Sequence, residues 1–289
     1  MSAVRQNPPA ADQEPTRRAA ERAPVRCLPE RLRRPFARRP WMFEVALFAL
    51  ALLVYQLSRA LVVGDSSLAF RNAAEIVSWE RRTGLFVETS IQQFVLTHLS
   101  LTKALNLFYL YGHYTITPLF FIWLYRRRRA WYPFVRNAFL TANAIALVTF
   151  MVFPVAPPRY LTSDGFIDTL RSISDIDLHA GALSGWFNPY AAVPSMHFGY
   201  ALMIGVAAFL LLRWWPVRLV ALVYPALVFL TITGTANHYV VDAFAGSLAI
   251  ATGFLTVRAW MWARPRLSPL CAAAVRRSAR PAEFPTLRR

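Results

Sequence analysis

The sequence predicts an all-α, polytopic membrane protein: six transmembrane helices in a bundle, with a long extracytoplasmic loop and interfacial helices. Three observations predict it. Of 289 residues, 56% are hydrophobic and only 16% charged, a balance that soluble domains rarely reach. The apolar residues gather into six stretches, each near the roughly 20 residues needed to cross a hydrocarbon core. The net charge of +17 is concentrated at the chain ends, as in basic segments that flank membrane spans.

Residues 1–40 hold ten arginines against four acids, with many prolines and alanines and no apolar period. This composition predicts a disordered basic cytoplasmic tail. It is not read as a cleaved signal peptide, because the first apolar stretch is long enough to span and no small-residue cleavage site follows closely. The membrane domain is predicted over 41–262. Its spans are Trp41–Val63, Leu105–Tyr125, Phe134–Phe153, His197–Trp215, Val217–Ala236 and Tyr239–Trp262. Residues 66–100 are too polar to span. Ile76, Trp79, Leu85, Phe86, Ile91 and Phe94 alternate with charges there, which predicts short amphipathic helices at the interface. Residues 154–194 are punctuated by proline and glycine and read as a long loop, of a length that is usually functional or disordered. Residues 263–289 form a second basic tail, with seven arginines against one acid.

Arginine placement sets the expected orientation. Both tails, the Arg126–Arg129 run with Arg136, and the pair Arg213 and Arg218 fall on one side of a six-span chain. The positive-inside rule makes that side cytoplasmic. The protein is therefore expected in the cell membrane as a multi-pass chain with both termini cytoplasmic. Residues 64–104, 154–196 and the turn around Asn237 then lie outside. The positive charges Arg71, Arg81 and Arg82 in the first outer segment sit among Asp65, Glu75, Glu80 and Glu88. Cys27 and Cys271 fit neither a disulfide framework nor a zinc spacing, and are read as free thiols. Nucleic-acid binding is set aside, because the tails carry no recognisable binding fold.

Two segments carry the chemistry: Ala192-Val193-Pro194-Ser195-Met196-His197 and Asn237-His238-Tyr239-Val240-Val241-Asp242. Ionisable groups at a membrane boundary are costly and usually functional. His238 and Asp242 are spaced i, i+4 and share a helix face. The carboxylate can hold Nδ1–H of the imidazole and leave Nε2 as an in-line nucleophile. A capping Asn-His followed by a satisfied buried Asp explains the pair equally well. Metal ligation is disfavoured, because no third ligand has a recognisable spacing. Ser195 opens a predicted helix whose N-terminus suits a phosphate, and His197 there can act as a general acid. Taken alone, Ser195 is an N-cap and His197 an interfacial residue. Arg159, in Pro157-Pro158-Arg159, can grip phosphate oxygens as a bidentate fork. These residues are far apart in sequence but fall on one predicted side.

With those motifs, and Gly246 behind the last, residues 41–262 resemble the type 2 phosphatidic acid phosphatase superfamily. Within it the chain is most similar to the inositol phosphorylceramide synthase branch and its bacterial relatives. The resemblance implies six helices, a phosphohistidine intermediate on His238, Asp242 as its orienter, and His197 as acid and later base. It implies no metal and no cofactor. Three positions depart from the phosphatase branch. A lysine usual seven residues before Arg159 is Val152, and an arginine usual six residues before His238 is Ile232. The glycine usual before His197 is Met196. These departures place the chain on the transferase-like side.

The expected activity is therefore that of an integral membrane lipid phosphatase or phosphotransferase at the extracytoplasmic face. Its substrate is a lipid phosphate or phospholipid, and its acceptor is water or an alcohol such as inositol. Arg159 and Ser195 bind phosphate; His238, His197 and Asp242 are catalytic. The rival reading is a non-catalytic protein that binds or moves lipids. His113 is read as an interhelical hydrogen-bonding residue too deep for the site. Asn143 and Glu44 are read as packing or partner-bonded, and Arg59 and Arg258 as paired or snorkelling.

Overall fold

The computed structural model describes residues 39–62, 66–177 and 188–278, and the side chains among them except at 58–62 and 264–278. Expectations for the N-terminal tail up to residue 38, for Cys27, and for the side chains of Arg59 and Cys271 lie outside the described residues. The described chain is all-helical. In order it forms α1 (Pro40–Val62), α2 (Ser66–Thr83), α3 (Glu88–Leu96), α4 (Leu99–Arg127) and α5 (Tyr132–Val152). A short α6 (Thr169–Ser174) precedes α7 (Met196–Leu211), α8 (Trp215–Gly234) and α9 (Val240–Ser278).

Four of these helices are long and apolar enough to cross a membrane: α1 over Pro40–Leu57, α5, α8, and α9 over Val240–Ala263. Their outward faces expose Leu52, Leu53, Val220, Val223, Leu248 and Leu255. An apolar surface of this extent belongs against lipid. Two of the six predicted spans differ instructively. Helix α4 has 29 residues but carries buried Thr102, Asn106 and Thr117, which lower its hydropathy. Helix α7 is apolar but has only 16 residues, about 24 Å of helix. It ends before Trp214-Trp215-Pro216, where the proline starts α8. The predicted final span closes at Trp262, whereas α9 continues as helix to Ser278.

The bundle is held by close backbone approach, as expected where lipid offers no hydrophobic gain from helix contact. A Cβ on Gly253 would stand 2.4 Å from the Ala138 carbonyl oxygen of α5. One on Gly246 would stand 2.1 Å from the Ser195 carbonyl oxygen at the start of α7. Helix α1 packs on α5 and is tied there by Glu44. Arg136 donates to its carboxylate at 2.6 Å, and the Tyr132 hydroxyl donates at 3.1 Å. Removing one partner of so buried a pair costs about 3–5 kcal/mol. Glu44 and Asn143, the latter accepting from Tyr200 and donating to Phe139 O, are partner-bonded as predicted.

Helices α2 and α3 have the amphipathic pattern predicted for residues 66–100. Ala69, Asn72, Ala73, Val77 and Glu80 form one buried stripe on α2, at the spacing of a single helix face. Gly84, with φ of 74°, ends α2 in a left-handed turn in which Leu85 N–H reaches back to Glu80 O at 2.8 Å. This is a conformation that glycine adopts without steric cost. The α2 stripe packs with Val155, Ala156, Leu161, Phe166, Ala192, Ala236 and Tyr239 in a second core. That core caps one end of the bundle.

The predicted loop is regular over much of its described part, residues 154–177 and 188–194. It includes two 3-10 turns, Pro158–Tyr160 and Thr162–Asp164, besides α6. Val155 N–H donates to Tyr190 O at 2.9 Å, and Ala192 N–H to Val155 O at 3.3 Å. This bridge joins the Arg159 segment to the Ser195 segment.

Candidate active site

The α8–α9 connection carries the first site residue. Helix α8 ends where Ala236 takes a left-handed φ of 54°. The next two N–H groups, of Asn237 and His238, both turn back to Ile232 O at 2.9 and 3.0 Å. His238 thus lies outside both helices on a fully hydrogen-bonded turn, with 4% of its surface exposed.

The imidazole of His238 is held at one nitrogen. Nδ1 lies 2.9 Å from Ala192 O and 3.1 Å from Asp242 Oδ2. A backbone carbonyl can only accept, so Nδ1 carries the proton and Nε2 keeps its lone pair. Nε2 is buried and has no hydrogen-bond partner among the described residues. Burial, with Arg159 nearby, pushes the His238 pKa down to about 3 against the opposing pull of the Ala192 carbonyl. The ring is neutral at physiological pH. Asp242 is itself fixed, since Oδ2 also accepts from Tyr239 N–H at 2.9 Å.

His197 stands in the first turn of α7. Its ring centroid is 5.5 Å from that of His238. Ser195 is the N-cap: its hydroxyl oxygen accepts from Phe198 N–H at 3.5 Å, which leaves its O–H proton able to donate elsewhere. Ser195 N–H donates to Asp242 O at 2.9 Å, so the starts of α7 and α9 are pinned together. Gly246 permits this, because any side chain there would collide with Ser195 O.

Arg159 reaches the same place from the loop. Its backbone N–H donates to Ala236 O at 2.8 Å. Its guanidinium donates to Asn237 Oδ1 and, at 3.3 Å, to the Tyr160 hydroxyl. Arg159 is therefore docked on the very turn that carries His238. All five predicted residues, Arg159, Ser195, His197, His238 and Asp242, converge on one end of the bundle. Among the described residues, no three His, Cys, Asp or Glu side chains are grouped to hold a metal ion.

One prediction about a neighbour changes. His113 is not remote: its ring lies 4.2 Å from that of His197, and its Nδ1 has no hydrogen-bond partner among the described residues. The reason is that α4 packs against the start of α7, which brings His113 onto His197. Tyr111 and Tyr114, its sequence neighbours, are 63% and 57% exposed. Tyr109, four residues before His113 and so on its helix face, stacks on His197 at 4.5 Å and lies 6.3 Å from His238. Tyr109 was legible from that spacing and was missed. The two substituted positions also part ways. Val152 is 72% exposed and faces away, whereas Ile232 is fully buried beneath the His238 turn.

The described chain is an α-helical membrane-type bundle whose candidate site gathers an oriented imidazole, an arginine and a helix N-terminus at one end. The PAP2 superfamily model matches residues 74–256, and the chain belongs to that superfamily, whose membership supports a phosphatase- or phosphotransferase-type function on lipid phosphates. No curated protein and no solved structure matches the chain.

Proposed function

We propose that this protein cleaves a lipid phosphoester through a phosphohistidine on His238, with the site opening to the extracytoplasmic face of a six-pass bundle. His238 Nε2 attacks phosphorus. The bond from phosphorus to the leaving oxygen breaks, and His197 delivers a proton to that oxygen. Arg159, the Ser195 hydroxyl and the α7 N-terminus hold the non-bridging oxygens. Water or an alcohol then attacks the phosphorus, His197 takes the acceptor's proton, and the N–P bond breaks. Asp242 keeps the ring oriented and stabilises the charge it gains. The observation that carries this reading is the pairing of a protonated, doubly accepted Nδ1 with a partnerless Nε2.

The finer reading is headgroup transfer of the kind the inositol phosphorylceramide synthase branch performs, with an alcohol such as inositol as the acceptor. Its support is the count of cations. With Val152 and Ile232 in the two substituted positions, Arg159 is the one cation of the three family positions that remains. A single cation suits the single charge of a phosphodiester better than the double charge of a monoester. The test is incubation of purified protein with radiolabelled phosphatidate and with phosphatidylinositol, with and without free inositol or ceramide. An acid-labile, base-stable label on wild type that is absent from His238→Ala supports the phosphohistidine. Lipid binding with neither release, exchange nor label favours the non-catalytic lipid-binding alternative.

A further inference from the structure

Helix α9 begins two residues after His238, and its first turn has N–H groups with no partner inside the helix. Distant carboxylates take them. Val240 N–H donates to Glu88 Oε1 at 2.7 Å, and Val241 N–H donates to Glu80 Oε1 at 2.9 Å. Glu80 lies near the end of α2 and Glu88 is the first residue of α3. Both are fully buried. The second oxygens, Glu80 Oε2 and Glu88 Oε2, have no hydrogen-bond partner among the described residues, yet the two carboxyl groups are within hydrogen-bonding reach of one another.

Two ionised carboxylates side by side in a buried site repel, and each would also leave an oxygen unsatisfied. One proton between the two Oε2 atoms removes both costs. It leaves one negative charge facing the positive end of α9, where a negative charge is favourable.

We propose that Glu80 and Glu88 are a proton-sharing carboxyl pair that sets the position of the α9 N-terminus, and through it the aim of His238 Nε2. Both are positioning residues; neither touches the phosphate. The inference rests on the role proposed for His238. The groups facing the pair are Asp242 from α9 and Tyr239 just before it, with Asp164 at the rim, where Arg81 pairs with it at 2.8 Å. Burial, with Glu88 alongside, pushes the Glu80 carboxyl up to about 9. The proton sits on Glu80, because Glu80 lies near the C-terminal end of α2, where a negative charge is disfavoured, and Glu88 opens α3, where one is favoured; Glu80 donates through Oε2 while its Oε1 accepts from Val241 N–H. Glu88 accepts at both oxygens.

This assignment is asymmetric, and the asymmetry is testable. In E80Q the amide reproduces a protonated Glu80, donating from nitrogen and accepting at oxygen. In E88Q an amide must oppose a donor, so the α9 start is displaced. With dioctanoyl phosphatidate as substrate, wild type is expected to show a fall in kcat as pH rises towards 9, and E80Q to keep the neutral-pH rate without that fall. E88Q is expected to lower kcat about a hundredfold with KM little changed, the scale of a misaimed reacting group. Infrared spectra at neutral pH are expected to show a buried protonated carboxyl in wild type that E80Q lacks. Equal effects of the two substitutions, a persisting alkaline fall in E80Q, or no such infrared band overturns the pair. The infrared band present with no turnover or label in wild type overturns the reading of His238 instead.

Discussion

The carbonyl oxygen of Ala192 lies 2.9 Å from Nδ1 of His238, across 46 residues of sequence. That contact settles the imidazole tautomer without help from any ionisable group. Asp242 at 3.1 Å adds charge to an orientation already imposed by the backbone.

Asp242→Asn is therefore expected to keep the ring orientation and lose chiefly the stabilisation of positive charge. The labelling rate of His238 should fall about a hundredfold, the scale of one acid–base partner, while His238→Ala should abolish labelling. Rapid-quench measurement of the phosphoenzyme separates the two.

Arg159 is held by Asn237, so its substitution and that of Asn237 act on one unit. Arg159→Lys cannot keep both the Asn237 contact and a bidentate phosphate contact. It is expected to lower kcat/KM about a hundredfold. Asn237→Ala should give a smaller loss, and the double variant should lose little more than Arg159→Lys alone. Additive losses in a double-mutant cycle would separate the two residues.

Gly246→Ala places a methyl 2.1 Å from Ser195 O, a backbone atom that cannot step aside. Helices α7 and α9 must part, at about 1–3 kcal/mol for overpacking. Thermal unfolding in detergent should show a lowered midpoint, and labelling of His238 should fall with it. An alanine at Gly84 meets no atom within 4 Å, so it adds only the strain of its positive φ and should leave labelling intact.

The Glu80 carboxyl is raised from 4.5 to about 9. Its folded form holds a proton that the unfolded chain has released. Its contribution to stability is full below about pH 4.5 and is lost as pH rises towards 9, since stability falls with pH wherever the folded state binds more protons. Unfolding midpoints across that window should decline with pH in wild type, and E80Q should flatten the decline.

Much of the fold was legible because lipid imposes its rules on composition. Apolar runs of the right length located α1, α5, α8 and α9 to within about two residues at their starts. Helices α4 and α7 were harder. One carries Thr102, Asn106, His113 and Thr117 inward, and the other is short because Trp214-Trp215-Pro216 ends it. The candidate site was legible as motifs, since the i, i+4 spacing pairs His238 with Asp242, although His238 lies on the turn before α9 and not on the helix face the spacing suggests. Tyr109 could have been found by the same rule applied to His113. Glu80 and Glu88 could not: their partners are backbone N–H groups 161 and 152 residues away, and a backbone donor leaves no mark in a sequence.

The sequence by itself determined that this chain is an α-helical membrane protein with a boundary cluster of His197, His238, Asp242, Ser195 and Arg159, because hydropathy and helical spacing are local properties. Tertiary structure decided what those residues touch. The Ala192 carbonyl on His238, the seat of Arg159 on Asn237, and the carboxylates of α2 and α3 on α9 all depend on which segments pack together. Such long-range contacts arise from the fold as a whole, and no window of residues encodes them.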